Sequence, residues 1–193
     1  RWFPDATLNT CFNALDRHVR DGRGEQAALI YDSPVTSPVE TISYAELLTR
    51  AATFAGALDS LGVAKGDRVV IYMPMVPEAV VAMLACARLG AIHSVVFGGF
   101  ASGSLATRID DAKPTLIVSS DAGMRGGKAV PYKHLLDEAI ELAEHKPAKV
   151  LMIDRGLDKA FNKVAGRDVD YATERAKFMD AKVPCEWLES SEP

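Results

Sequence analysis

Arg125-Gly126-Gly127-Lys128 sets two cations around two glycines. Glycine removes the side chains that would hold an anion at a distance, so backbone amides and positive charge can both approach a phosphate there. A second stretch, SVVFGGFASGSL at 94–105, breaks an apolar run at Gly98-Gly99, directly after Phe97. Glycine costs backbone entropy in a regular element, so the pair marks either a tight turn or a place where something approaches the backbone closely. A helix capped by Ser102 would add free amides facing an anion. Each stretch also has a plainer reading, a solvated turn at 125–128 and a strand-to-helix turn at 98–99. The residues alone leave both readings open.

Standard nucleotide signatures do not decide the matter. A P-loop needs Gly-x-x-x-x-Gly-Lys followed by Ser or Thr. Here Ala122 stands where the first glycine belongs and Ala129 where the hydroxyl belongs. The dinucleotide pattern Gly-x-Gly-x-x-Gly is absent around Gly98. His18, His93, His134 and His145 show no metal-ligand spacing with one another or with Cys11, Cys86 and Cys185. His93, inside an apolar run, reads as a hydrogen-bonded core residue, and Cys86 as a packing residue. Asp110-Asp111 and the series Asp137, Glu138, Glu141 and Glu144 read as solvated helix faces. No Ser-His-Asp or Cys-His arrangement stands out, so neither a catalytic centre nor a metal site is expected within these residues.

The elements that must position the two glycine stretches follow from periodicity. Leu8, Cys11, Phe12, Leu15 and Val19 recur at helical spacing, predicting a helix over about 8–20 that GRG at 22–24 ends. AALIYD (27–32) and ETISY (40–44) flank a loop with Pro34 and Pro38 and predict a hairpin-like pair. Leu47, Ala51, Phe54, Ala55 and Leu58 share one helix face, which Gly62 closes.

From Asp67 a strand–helix rhythm begins. RVVIYM, AIHSVVF, TLIVSS and KVLMID read as strands, and PEAVVAMLACARLG, SGSLATRIDDA and PYKHLLDEAIELAEH as the helices between them. Runs that are apolar on both faces, alternating with helices, predict an α/β fold with a parallel, doubly wound sheet covered on both sides. Ligands of such sheets bind beyond the carboxyl ends of the strands. MPMVP (73–77), GGFAS (98–102) and SSDAGMRGGKAVPYK (119–133) occupy that position. Residues 156–182 read as loop with one short helix near 171–178, and CEWL as a last strand.

Bulk properties narrow the class. The chain has 193 residues, 48% hydrophobic and 25% charged, with a net charge of −4. Such a balance argues against a general nucleic-acid binder, which shows a basic stripe. Three widely spaced cysteines and no signal-peptide pattern point to reduced thiols in the cytoplasm. The apolar stretch 69–89 is interrupted by Pro74, Pro77 and Glu78, so no membrane span is expected. The closing ESSEP reads as a cut within a longer protein.

LNTCFNALDRHV, YAELL, KGDRVVIYMPMVPEAVVAMLACARLGAIHSVVFGGF, RIDDAKP and VPYKHLLDEAI together resemble the AMP-forming acetyl-CoA/propionyl-CoA synthetase family of adenylate-forming acyl-CoA synthetases. LNTCFNALDRHV with ALIYDSPVT more closely resembles the propionyl-CoA branch. The resemblance implies a propionate–CoA ligase using ATP, magnesium and coenzyme A. A carboxylate attacks the α-phosphate of ATP, giving acyl-adenylate and pyrophosphate, and the CoA thiol then displaces AMP. It implies that 1–26 end an N-terminal region and that 27–193 begin the AMP-binding α/β domain. The chain stops before the family's Ser/Thr/Gly-rich loop, so the ATP, magnesium and acyl sites are expected beyond it and these residues alone are expected to be inactive. Within the segment the resemblance assigns Phe97, Gly98, Gly99, Arg125, Gly126, Gly127 and Lys128 to the nucleotide end of CoA. By that analogy the glycines leave room for adenine. Lys128 stands where many relatives carry arginine, a point charge in place of a bidentate fork, so Arg125 is the stronger expectation. An acetate or other short-chain ligase, and a non-catalytic CoA- or nucleotide-binding module, remain as alternatives.

Overall fold

The computed structural model describes residues 3–35 and 39–192; Pro38, placed by the sequence in the hairpin loop, lies outside them. Among the described residues eleven strands and five α-helices follow in chain order. β1 is Thr7–Leu8, β2 Ala27–Tyr31, β3 Glu40–Ser43, β4 Arg68–Met73, β5 Ile92–Phe97 and β6 Leu116–Ser120. β7 is Gly123–Arg125, β8 Lys128–Val130, β9 Lys149–Ile153, β10 Asp168–Asp170 and β11 Leu188–Glu189. The helices are α1 Tyr44–Ser60, α2 Pro77–Leu89, α3 Ser102–Ala112, α4 Tyr132–Leu142 and α5 Tyr171–Arg175.

Five strands form an all-parallel sheet in the order β10-β9-β6-β4-β5. Because side chains alternate along a strand, each strand feeds two cores. Val69, Ile71, Val118 and Leu151 meet Phe54, Leu58 and Cys86 beneath α1 and α2. Val70, Tyr72, Ile117 and Met152 meet Leu105, Ile109 and Leu136 beneath α3 and α4. Burying each large aliphatic side chain stabilises the fold by about 1.5–3 kcal/mol, and double coverage is why these strands read as unbroken apolar runs. Among the described residues β5 pairs on one side only, and its α2-side face is open: Val95 is 48% and Phe97 62% exposed. His93 shares that face and is exposed. The expected core histidine is therefore an edge-strand residue.

Local chemistry sets the helix ends. Ser43 Oγ accepts the Glu46 amide at 3.2 Å, and Glu46 three residues on completes a capping-box sequence at α1. α2 begins on Pro77 and ends at Gly90, whose φ of 69° lets Ala91 N donate to Cys86 O at 2.9 Å. Ser102 does not cap α3; Ala101 holds that position and Ser102 Oγ donates to Glu138 on α4 at 2.6 Å.

Other sequence expectations are also revised. The first helix lies at about 10–23, with wide i→i+5 turns over Phe12–Asp16 and Val19–Arg23, while Leu8 belongs to a strand. That strand, β1, pairs antiparallel with β11, so the CEWL run contributes only its last residue to a strand. Within 156–182, read as loop and helix, β10 adds a fifth parallel strand. Asp137 is only partly solvated: it bonds Lys133 and Arg167, and Asp110 accepts the His145 amide at 2.8 Å. No helix among the described residues is long and apolar enough to cross a membrane.

Candidate functional site at the carboxyl edge of the sheet

From β4 the chain moves outward to β5, then crosses back to β6 on the other side. Loops leaving β4, β5 and β6 consequently diverge, and a crevice opens where the winding reverses. A cleft of about 360 Å³ occupies that place. Its walls are Tyr31–Val35 after β2, Met73–Val76 after β4, Phe97–Gly99 after β5, Met124 and Arg125 on β7, and Val130, Tyr132 and Arg155.

The two stretches singled out in the sequence thus share one rim. A Cβ at Gly99, where φ is +108°, would stand 3.8 Å from Arg125 Nη1, so the arginine reaches across to the diglycine bend. Phe97 exposes its ring to the cleft and meets Phe100 edge-on, with centroids 6.2 Å apart. Gly98 has another explanation. A Cβ there, or at Gly123, would overlap the Tyr132 hydroxyl. The space assigned to adenine at Gly98 is filled by the Tyr132 ring, which passes between two glycine backbones and pins the β7–β8 hairpin to the bend. Tyr72 packs against Tyr132 with the rings tilted and their centroids 5.2 Å apart, and its hydroxyl accepts the Gly99 amide at 3.4 Å and donates to Phe100 O at 3.2 Å. Burial raises the pKa of both tyrosines, so both are neutral: Tyr132 lines the cleft and Tyr72, buried behind it, makes the hydrogen bonds.

Gly126 and Gly127 form a two-residue hairpin turn with φ of 56° and 77°. Two successive positive φ values match the twist of a tight hairpin, and glycine supplies both without strain. The 125–128 loop is accordingly a rigid ribbon in which Arg125 pairs with Lys128. Arg125 lines the cleft; Gly126, Gly127 and Lys128 sit exposed at the tip, outside its walls.

Three contributors were not singled out in the sequence: Tyr132, Asp121 and Arg155. Asp121 is fully buried, and its carboxylate accepts the amides of Arg155, Leu157 and Asp158 at 3.1, 2.7 and 3.0 Å. This clamp fixes the loop after β9 and sets Arg155 on the rim, where its Nη1 donates to Ala122 O at 3.1 Å. An acidic residue closing an apolar strand, as in SSD at 119–121, is the signal that could have found it. With Arg125 and Arg155 on its walls, the cleft suits an anion with an apolar or aromatic body. Two guanidinium groups make it unsuited to a magnesium ion on its own.

A parallel sheet wound in both directions from β4, with its cleft at the reversal, belongs to a known class. Residues 15–186 match the model of the AMP-binding enzyme family, and the chain belongs to that family. It is 55% identical over 192 residues to a propionate–CoA ligase of Escherichia coli (strain K12), covering 100% of this chain and 30% of that protein. It is also 49% identical over 177 residues to the human mitochondrial acyl-CoA synthetase short-chain family member 3, covering 92% of this chain and 26% of that one. Acetoacetyl-CoA synthetase from Streptomyces lividans superposes with a TM-score of 0.85 at 30% identity, covering 100% of this chain and 28% of that one. The chain spans roughly a third or less of the length of these relatives.

Proposed function

We propose that the chain is part of a propionate–CoA ligase. Such an enzyme condenses propionate with ATP to propionyl-adenylate and pyrophosphate, and transfers the propionyl group to the CoA thiol with release of AMP. In this reading residues 27–193 open the AMP-binding domain, residues 1–26 end a preceding region, and the enzyme works in the cytoplasm. The segment contributes one wall of the site for the nucleotide end of CoA. ATP, its magnesium ion and the acyl pocket are held elsewhere, so the 193 residues alone are inactive.

The observation that carries this reading is Arg125 facing the Gly99 bend across the switch-point cleft. A planar guanidinium can grip a phosphate through two parallel hydrogen bonds, and Phe97 offers a ring face for a base. Arg155 supplies a second positive charge. One or two partly exposed phosphate contacts contribute about 1 kcal/mol each, so the isolated segment binds CoA no tighter than about millimolar. Identity above one half to a relative named propionate–CoA ligase supports propionate over acetate.

The test uses the full-length protein. Propionate-dependent exchange of labelled pyrophosphate into ATP, followed by thioester and AMP formation once CoA is added, is the expected outcome. A higher kcat/KM for acetate would replace the substrate. CoA binding without AMP formation from any short acid would make the protein a non-catalytic module.

A further inference from the structure

Among the described residues, one group of potential ligands or nucleophiles lies apart from the cleft: Cys11, Asp16 and Cys185, whose Sγ and carboxylate atoms are all within 4.8 Å of one another. Arg88, in the last turn of α2, completes it. α2 runs antiparallel to the strands it connects, so this cluster lies at the amino edge of the sheet, opposite the rim bearing Arg125.

The two cysteines come from opposite ends of the chain, and the surrounding contacts hold them in register. Asn9 Nδ2 donates to Glu186 O at 2.8 Å, Glu186 N donates to Arg88 O at 2.8 Å, and the Phe12 and Trp187 rings are 5.1 Å apart. Arg88 Nη1 lies 3.5 Å from Cys11 Sγ and also bonds Asp16 Oδ2 at 2.9 Å, while Nη2 bonds Asp16 Oδ1 at 3.0 Å. Both carboxylate oxygens are thus engaged and a fixed positive charge sits beside the sulfur. Those features disfavour a metal cation and favour a thiolate.

We propose that Cys11 and Cys185 are a redox-active dithiol that closes to a disulfide under hydroperoxide and clamps the 183–188 segment to the first helix. The neighbouring Cys185 thiol and the Arg88 guanidinium hold the Cys11 thiol below its ordinary pKa against the opposing effect of burial. Cys185 keeps its proton, which it directs to Asp16 Oδ2 at 3.9 Å, its pKa raised by the adjacent Cys11 sulfur and by burial. Cys185 is half-buried and borders a surface cleft of about 330 Å³; peroxide enters there and passes Cys185 to reach Cys11, which is fully buried behind it. The Cys11 thiolate attacks one peroxide oxygen, the O–O bond breaks, and the departing hydroxide takes a proton to leave as water. Cys185 sulfur then attacks the Cys11 sulfenic acid. The S–S bond forms as the S–O bond breaks, and the sulfenic hydroxyl leaves with the Cys185 proton as a second water. Two electrons pass from the thiols to one peroxide. Cys86 provides an internal control: it is as fully buried as Cys11, but no charged group or second thiol acts on it and burial pushes its pKa up to about 12.

The experiment exposes the full-length protein to graded hydrogen peroxide, blocks free thiols with N-ethylmaleimide after unfolding, and maps peptides without reduction. A dithiothreitol-reversible Cys11–Cys185 linked peptide with Cys86 still alkylated is expected. Its appearance should coincide with the loss of two titratable thiols per chain. In Cys185→Ser, dimedone should trap sulfenic acid on Cys11. The proposal is overturned if both cysteines remain alkylated at a peroxide dose that oxidises Met75, which is 76% exposed. It is equally overturned if one equivalent of zinc, added alone, protects both from alkylation before any oxidation. The linked-peptide readout on the unaltered protein stands even if the variant does not fold.

Discussion

Replacing Arg88 with methionine is expected to lower the stability of the fold by about 3–5 kcal/mol, the usual cost of removing one partner from a buried ion pair. Arg88 is only 7% exposed and its Asp16 partner is partly buried. The guanidinium also donates through Nε to Val183 O at 2.6 Å. A single side chain therefore ties α2 to the first helix and to the 183–188 segment. Methionine fills much of the same volume, so the loss reports the stranded Asp16 carboxylate and the orphaned Val183 carbonyl more than a cavity. Adding Asp16→Leu should restore part of the loss, because an apolar replacement of a whole buried pair is often neutral or stabilising. Urea unfolding of the single and double variants checks this. If the double variant is less stable than Arg88→Met by the full cost of Asp16→Leu alone, the two side chains are not coupled.

Lys133→Met is expected to have an effect of similar size, about 3–5 kcal/mol, at the other end of the sheet. Lys133 is 1% exposed and its Nζ meets Asp168, whose side chain is 0% exposed, at 3.0 Å. Arg167 Nε bonds the same carboxylate at 2.6 Å, and Asp137 bonds both cations. Removing the lysine leaves two buried or half-buried carboxylates facing one arginine, on the strand that closes the sheet. The same cluster sets an acid dependence. Burial alone would raise the Asp168 pKa, but hydrogen bonds from Arg167, the Val164 amide and Lys133 hold it below the ordinary 3.8. A folded-state pKa below the unfolded one gives stability that is present above about pH 4 and lost as pH falls through the lower value. Unfolding free energies measured from neutral pH down to pH 3 should fall less steeply in Asp168→Asn than in the unaltered chain. Parallel curves would remove Asp168 from the acid response.

These charged clusters also mark where sequence reading stops. β4, β6 and β9 were legible because both of their faces are buried, which leaves continuous β-branched runs. α2 was legible because Pro77 and Gly90 act locally at its ends. β10, Asp-Val-Asp, was not. Its acidic residues are paired with Lys133, Lys163 and Arg167, and while two of these are near in sequence, no local pattern reports Lys133, the buried partner on α4. His93 misled because an apolar run does not say whether a strand is central or at an edge. Phe97, Gly99 and Arg125, singled out by residue type and by family blocks, lie on one cleft. Gly98 was singled out as room for a ligand, but the space beside it holds Tyr132, a neighbour supplied by topology. Asp121 and Arg155 escaped because their roles exist only once β6 and β9 lie side by side.

The pairing of Arg125 with the diglycine rim is tested most directly by steady-state kinetics of Arg125→Ala in the full-length enzyme. The KM for CoA should rise about ten-fold, the loss of roughly one charge-assisted contact, while propionate-dependent pyrophosphate exchange is unchanged. An unaltered KM for CoA, or a loss confined to the exchange reaction, would contradict the assignment of this cleft to the nucleotide end of coenzyme A.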